Sequence, residues 1–183
     1  MKVSHRRWLA GALGLGVLVG AALLIRSVVA GAPAPVAAGN RAPQFVALSI
    51  DAVPARRSLD DYAGHPILLN VWATWCDPCR AEMPSLDRLY RDLAARGLRV
   101  VAVSIDDPGS DQLIRDFVRE HALTFDVLHD AHADIMSTYL VRGVPETFLI
   151  TRKGEIAGTR FGADWSSAES RALVDSLLLR GAP

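Results

Sequence analysis

Ile67-Leu68-Leu69-Asn70-Val71-Trp72-Ala73-Thr74-Trp75-Cys76-Asp77-Pro78-Cys79-Arg80-Ala81-Glu82-Met83-Pro84 contains the only two cysteines of the 183-residue chain, three residues apart. The stretch opens as a continuous apolar run, which reads as a buried strand, and passes straight into a helix-patterned segment. Two thiols at i and i+3 on a strand–helix junction can close into a disulfide and reopen. The N-terminal thiol faces the positive end of the helix dipole, which favours its thiolate. The pair therefore reads as a redox site.

Two plainer readings compete with that one. A structural disulfide closing so short a loop constrains the unfolded chain very little. A zinc site normally needs four ligands, and neither a second cysteine pair nor an H-x3-5-H spacing is present. His129 and His132 stand three apart and read as solvated loop histidines.

The segment before the domain bears on location. Trp8 to Ile25 is 18 residues without a charge, about 27 Å as a helix, enough to span a bilayer core. Lys2, Arg6 and Arg7 precede it and Arg26 follows, so the positive-inside rule places the rest of the chain outside the cytoplasm. The expectation is a single-pass membrane anchor over 1–26, with the C-terminal domain on the periplasmic, extracytoplasmic side. A cleaved signal peptide is the alternative, with Val28-Val29-Ala30 or Ala32-Pro33-Ala34 as its site. Residues 27–40, rich in Ala, Pro and Gly, read as a tether. Residues 41–183 suffice for one domain with a real core. They hold all 20 acidic but only 16 of the 20 basic residues, a formal charge of −4. That balance argues against nucleic acid as a partner.

Within the domain, Ile67–Trp72 and Arg99–Ile105 read as buried parallel strands. Between them Cys79, Met83, Leu86, Tyr90 and Leu93 recur at helical spacing, with Pro84 predicting a kink and Gly97 closing the helix. Leu113, Ile114, Phe117 and Val118 mark a second helix capped by Ser110 or Asp107. Phe125–Leu128 reads as a short strand, and Ile135, Met136, Tyr139 and Leu140 as a further helix. Thr147–Thr151 and Glu155–Phe161 form a hairpin around Arg152-Lys153-Gly154. Ser166 to Glu169 is a capping-box pattern that opens the last helix. The order β-α-β-α-β-α-β-β-α gives an α/β domain with a mixed sheet.

Taken with Gly64-His65-Pro66 before it, the opening segment resembles the active site of the TlpA/ResA/DsbE-type membrane-anchored thioredoxin-like thiol:disulfide oxidoreductases. Gly143-Val144-Pro145-Glu146-Thr147-Phe148-Leu149-Ile150 is similar to their second signature, the cis-proline loop. The resemblance covers essentially all of residues 41–183 and includes a central strand-helix insertion at about 107–130. It implies a thioredoxin fold with a mixed central sheet, preceded by one N-terminal transmembrane helix. It also implies client protein disulfides as substrates, among them the haem-attachment cysteines of apocytochrome c. The resemblance further implies electrons from a membrane donor of the DsbD/CcdA type, with no cofactor beyond the redox-active Cys76–Cys79 disulfide and no metal.

Individual roles follow from chemistry and resemblance together. Cys76, nearer the helix N-terminus, is the nucleophile, and Cys79 resolves the mixed disulfide. Asp77 and Pro78 either tune the pair against extreme thiolate stabilisation or simply start a helix. Glu82 shares a helix face with Cys79. Spacing alone reads it as a solvated glutamate, whereas the family motif carries an active-site glutamate here that can take the proton of Cys79. Asn70 stands where plain thioredoxin has a buried aspartate, which leaves that proton's handler open. Glu146 resembles the acidic residue of cytochrome-maturation members. Pro145 is expected to be cis after Val144, exposing backbone on which an extended client can pair. Trp72 belongs to the core and Trp75 to the rim of the site.

Two other functions remain open on sequence. A copper-binding or thiol-reducing factor for cytochrome oxidase assembly is one; to bind copper it would use the cysteines as soft ligands plus a His, although the usual copper carriers space them C-x-x-x-C. A peroxidase would share the insertion but needs a lone reactive cysteine after a Pro/Thr-rich loop, which is absent.

Overall fold

A computed structural model of the chain describes residues 36–180. The described elements run β1 (Val46–Ser49), β2 (Arg56–Ser58), β3 (Ile67–Trp72), α1 (Asp77–Leu93), β4 (Arg99–Ser104) and α2 (Asp111–Glu120). They continue with β5 (Asp126–His129), α3 (Asp134–Thr138), β6 (Glu146–Ile150), β7 (Ile156–Phe161) and α4 (Ala168–Leu179). One mixed sheet of order β2-β1-β5-β4-β3-β6-β7 joins the strands. β3 runs parallel to β4, and β4 to β5, while β6 lies antiparallel to β3 and β7 antiparallel to β6. This is an α/β domain with a mixed sheet, as the element order implied, and its thioredoxin-like arrangement is the one the resemblance implied.

β3 is buried along its whole length because both faces of the sheet are covered. Its side chains alternate between the two cores, as a period of two requires. Leu68 and Trp72 join the layer that holds Met83, Leu86, Phe117, Trp165 and Leu177. Ile67, Leu69 and Val71 join Phe45, Tyr62, Tyr139 and Phe148 on the other side. Asn70 falls on the Leu68/Trp72 face, toward α1, and that placement is the origin of the site. Each such apolar side chain contributes roughly 1.5–3 kcal/mol by burial. Exposed ion pairs such as Arg96–Asp175 and Arg171–Asp92 contribute about 0–1 kcal/mol each. Burial fixes the fold.

Several boundaries differ from the sequence reading. The β1–β2 hairpin was not expected, because its apolar pattern is inverted. Val46 and Leu48 are 49% and 46% exposed, while the small residues Ala47 and Ser49 face inward. α1 runs unbroken through Pro84, ends at Leu93, and hands over to a 3-10 turn that Gly97 closes at φ 97°. α3 is a single turn, stopped where Leu140 turns left-handed at φ 53°. The cap of α4 is Ser167, whose hydroxyl accepts from the Ser170 amide; Ser166 bonds to Asp164 instead. The insertion is α2 with β5, which adds a parallel strand beside β4.

His129 needs the plainest correction. It is not a solvated loop residue but the buried end of β5, whereas His132 is exposed. The anchor read over 1–26 and most of the tether lie outside the described residues. Among the described residues no helix is long and apolar enough to cross a membrane. The last tether residues belong to the folded frame. Gly39 donates to the Ile156 carbonyl, and the Ile156 amide donates to that of Asn40, both at 2.8 Å.

Candidate active site

The sulfur pair sits where the end of β3 turns into α1. The Cys76 amide donates to the Ala73 carbonyl (3.3 Å) and the Arg80 amide to the Cys76 carbonyl (3.1 Å), so Cys76 is the N-cap of the helix. Its sulfur takes the place of the usual capping oxygen and accepts from the Cys79 amide at 3.2 Å. Cys76 and Cys79 are joined as a disulfide with Cα atoms 5.2 Å apart. Cys76 is 5% exposed and Cys79 not at all, which leaves the outer sulfur as the one a partner can reach. Asp77 and Pro78 fill the exposed first turn, and Trp75 stands out into solvent beside them.

The Val144–Pro145 bond is cis. The carbonyl oxygen of Val144 lies 3.5 Å from the Cys76 sulfur. When Cys76 carries a proton its thiol can donate to that oxygen, whereas a thiolate there meets the negative end of the carbonyl dipole. Glu146, the next residue, is buried and accepts from the Arg142 amide at 3.1 Å. Its carboxylate closes the loop that presents Val144. Phe161 was not anticipated from sequence. Its exposed ring lies against Gly143, where an added Cβ would meet it at 3.3 Å. A side chain at that position would push the ring away by a few tenths of an ångström.

Glu82 lies one turn after Cys79 on α1 and is buried. The Asn70 amide donates to one carboxylate oxygen (2.8 Å) and the Ala163 amide to the other (3.0 Å). Asn70 also donates to the Thr147 hydroxyl at 2.9 Å. Thr147, another residue the sequence did not reveal, pairs with Asn70 across β3 and β6 and so points to the same face. The indole N–H of Trp165 approaches the carboxylate without closing a hydrogen bond, and the Asn70 carbonyl oxygen is likewise unpartnered. On its outer side Glu82 borders a cleft of about 380 Å³ lined by Pro78, Ala81, Ser85, Arg88 and Asp164. The carboxylate thus joins a buried polar group on β3 to an open cleft on the surface.

Burial pushes the Glu82 carboxyl above its ordinary value of 4.5; the Trp165, Ala163 and Asn70 groups draw it partly back. A carboxyl raised by folding favours the native state while protonated, and this advantage is lost as pH rises through the folded value. Glu82→Gln, neutral throughout, should therefore melt a few degrees above the parent near pH 8. The two curves should converge toward pH 4, below the ordinary carboxyl value. A gap that does not vary with pH would show that ionisation of Glu82 is not what costs stability. The same variant tests a proton-accepting role for Glu82, which requires it to reduce a disulfide substrate more slowly than the parent.

Among the described residues no group of three or more His, Cys, Asp and Glu side chains is placed to hold a metal ion. The site is a redox disulfide with a buried carboxylate one turn further along α1 and a backbone edge beside the outer sulfur.

The chain is similar to known proteins. The model of the AhpC/TSA family matches residues 38–159. The thiol-disulfide oxidoreductase ResA of Oceanobacillus iheyensis is 38% identical over 120 residues, 64% of this chain and 62% of that protein. ResA of Geobacillus kaustophilus is 36% identical over 121 residues, 66% of this chain and 67% of the relative. The chain thus spans a little under or about two thirds of these relatives. Among solved structures, one assigned as the thiol:disulfide interchange protein DsbE of Chlorobium tepidum superposes with a TM-score of 0.70 at 27% identity. The match covers 78% of this chain and 98% of that one. StoA of Bacillus subtilis gives 0.55 at 26% identity, covering 66% of this chain and 88% of that one. The chain belongs to the AhpC/TSA family, and within it to the thioredoxin-like thiol-disulfide oxidoreductases of the ResA type.

Proposed function

We propose that the chain is a thiol:disulfide oxidoreductase working outside the cytoplasm as a reductant, with the haem-attachment cysteines of apocytochrome c as its client class. The observation that carries the reading is the Cys76–Cys79 disulfide at the N-terminus of α1, its outer sulfur 3.5 Å from the Val144 carbonyl. In the dithiol form the Cys76 thiolate attacks a client disulfide, and one client sulfur leaves. Cys79 gives its proton toward Glu82, attacks Cys76, and expels the second client sulfur. Two electrons have passed to the client, and the protein is left as the disulfide. A membrane carrier of the DsbD/CcdA type restores the dithiol.

The extracytoplasmic reading rests on the uncharged Trp8–Ile25 run and the basic residues before it. Full-length protein should stay in carbonate-washed membranes; release of a shortened soluble form would favour cleavage near Ala30–Ala38. The activity itself is tested by insulin reduction with dithiothreitol as donor. Acceleration over dithiothreitol alone is expected, with no peroxide turnover and no stoichiometric copper binding. Failure to accelerate, with copper bound at one equivalent, would favour an oxidase-assembly role.

A further inference from the structure

Behind the active-site turn lies a buried polar cluster that the redox steps do not use. Asp106, just beyond β4, is 2% exposed. Its carboxylate accepts from the Thr74 amide at 3.0 Å, the Thr74 hydroxyl at 2.6 Å and the Ser104 hydroxyl at 2.5 Å. Its own amide donates to the Ser104 oxygen at 3.1 Å. Its carbonyl oxygen lies 2.9 Å from His129 Nε2, and His129 Nδ1 lies 2.9 Å from the carboxylate of Asp111, the first residue of α2. The chain Thr74–Asp106–His129–Asp111 thus runs from the turn before Cys76 to the inserted helix.

The frame does not need this clamp. The ends of β3 and β4 are already joined, with Trp72 paired to Ser104 and the Ile105 amide bonded to the Trp72 carbonyl at 2.9 Å. The Thr74 bonds add a hold on the turn alone. Thr74 sits two residues before Cys76, inside the turn closed by the Cys76 amide and the Ala73 carbonyl. With its amide and its hydroxyl both bonded to Asp106, Thr74 is tied to the end of β4. The sulfur is then aimed in advance at the Cys79 amide and the Val144 carbonyl.

We propose that Thr74 and Asp106 are positioning residues for Cys76, and that His129 and Asp111 extend their hold to the inserted helix α2. The inference rests on the reading of Cys76 as the attacking thiol. Releasing the turn lets the sulfur leave the helix N-terminus, so the thiolate loses its capping amide and its share of the dipole. Thr74, Ser104, Asp106 and His129 are buried, and a donor removed from among them is not replaced by water at no cost.

The test follows iodoacetamide alkylation of Cys76 against pH in full-length protein carrying Cys79→Ser, so that only one thiol reacts. Thr74→Val keeps the shape and removes the hydroxyl donor. It should slow alkylation at neutral pH about three- to tenfold and move the profile to higher pH. Thr74→Ser keeps the donor and should restore the parent profile. Asp111→Asn, at a half-exposed position, should move the profile in the same direction by less. A Thr74→Val profile that overlies the parent overturns the positioning role. An unmoved Asp111→Asn profile overturns the extension to α2. Should Thr74→Val fail to fold, Thr74→Ala carries the same comparison. The profile reads Cys76 without any client, so a parent protein that fails to reduce insulin overturns the proposed function and leaves this measurement standing.

Discussion

Cys79→Ser protein should accumulate client proteins on Cys76 as mixed disulfides, released by dithiothreitol and visible on a non-reducing gel. Cys76→Ser should capture none. The expectation follows from access: Cys79 is wholly buried beneath the helix start, while Cys76 caps the helix beside Trp75 and the Val144 edge. A client disulfide can reach only the outer sulfur, and the inner one is placed to attack it from behind. Without that second thiol the first attack still proceeds but cannot be resolved. Multiple turnover should fall by on the order of 10³-fold while the first attack survives. Loss of the three-residue link itself costs little stability, because so short a loop barely restricts the unfolded chain. Capture of clients by Cys79 alone would reverse the assigned order.

What could be read in the sequence, and what could not, divides along physical lines. β3 and β4 were legible because strands covered on both faces must be apolar throughout. The cysteine pair was legible because its chemistry depends on a spacing of three along one helix. The β1–β2 hairpin was hidden because its inward residues are Ala47 and Ser49, small enough to leave no hydrophobic signal. Thr147 and Asp106 act through partners 77 and 32 residues away. No local pattern announces such a meeting; it appears only once the register of β3 with β6 and β4 is fixed. Glu82 lies between these cases. Spacing put it on the Cys79 face, but its burial depends on Asn70, Ala163 and Trp165 from three other segments.

The reduction potential of the pair should lie near that of thioredoxin, about −270 mV, and far from a strong oxidant such as DsbA at about −120 mV. For a two-electron couple that span is about five powers of ten in the exchange equilibrium. The electrostatic preference at the thiolate sets where in that range a pair falls. A strong oxidant owes its potential to a reduced form stabilised as thiolate. Here the helix N-terminus and the Cys79 amide favour the Cys76 thiolate, but three features oppose it. Pro78 removes an amide from the first turn, Asp77 sets a carboxylate in that turn, and the Val144 carbonyl oxygen faces the sulfur. Beneath them Glu82 adds negative charge whenever it is ionised. Weaker thiolate stabilisation favours the disulfide, which makes the dithiol the better reductant. Equilibration with dithiothreitol and glutathione buffers, followed by quantification of the free thiols, measures the value directly. A potential above roughly −180 mV, the range of protein disulfide isomerase, would make the chain an oxidant or isomerase. The proposed reduction of client disulfides would then have to be abandoned, whatever its likeness to ResA.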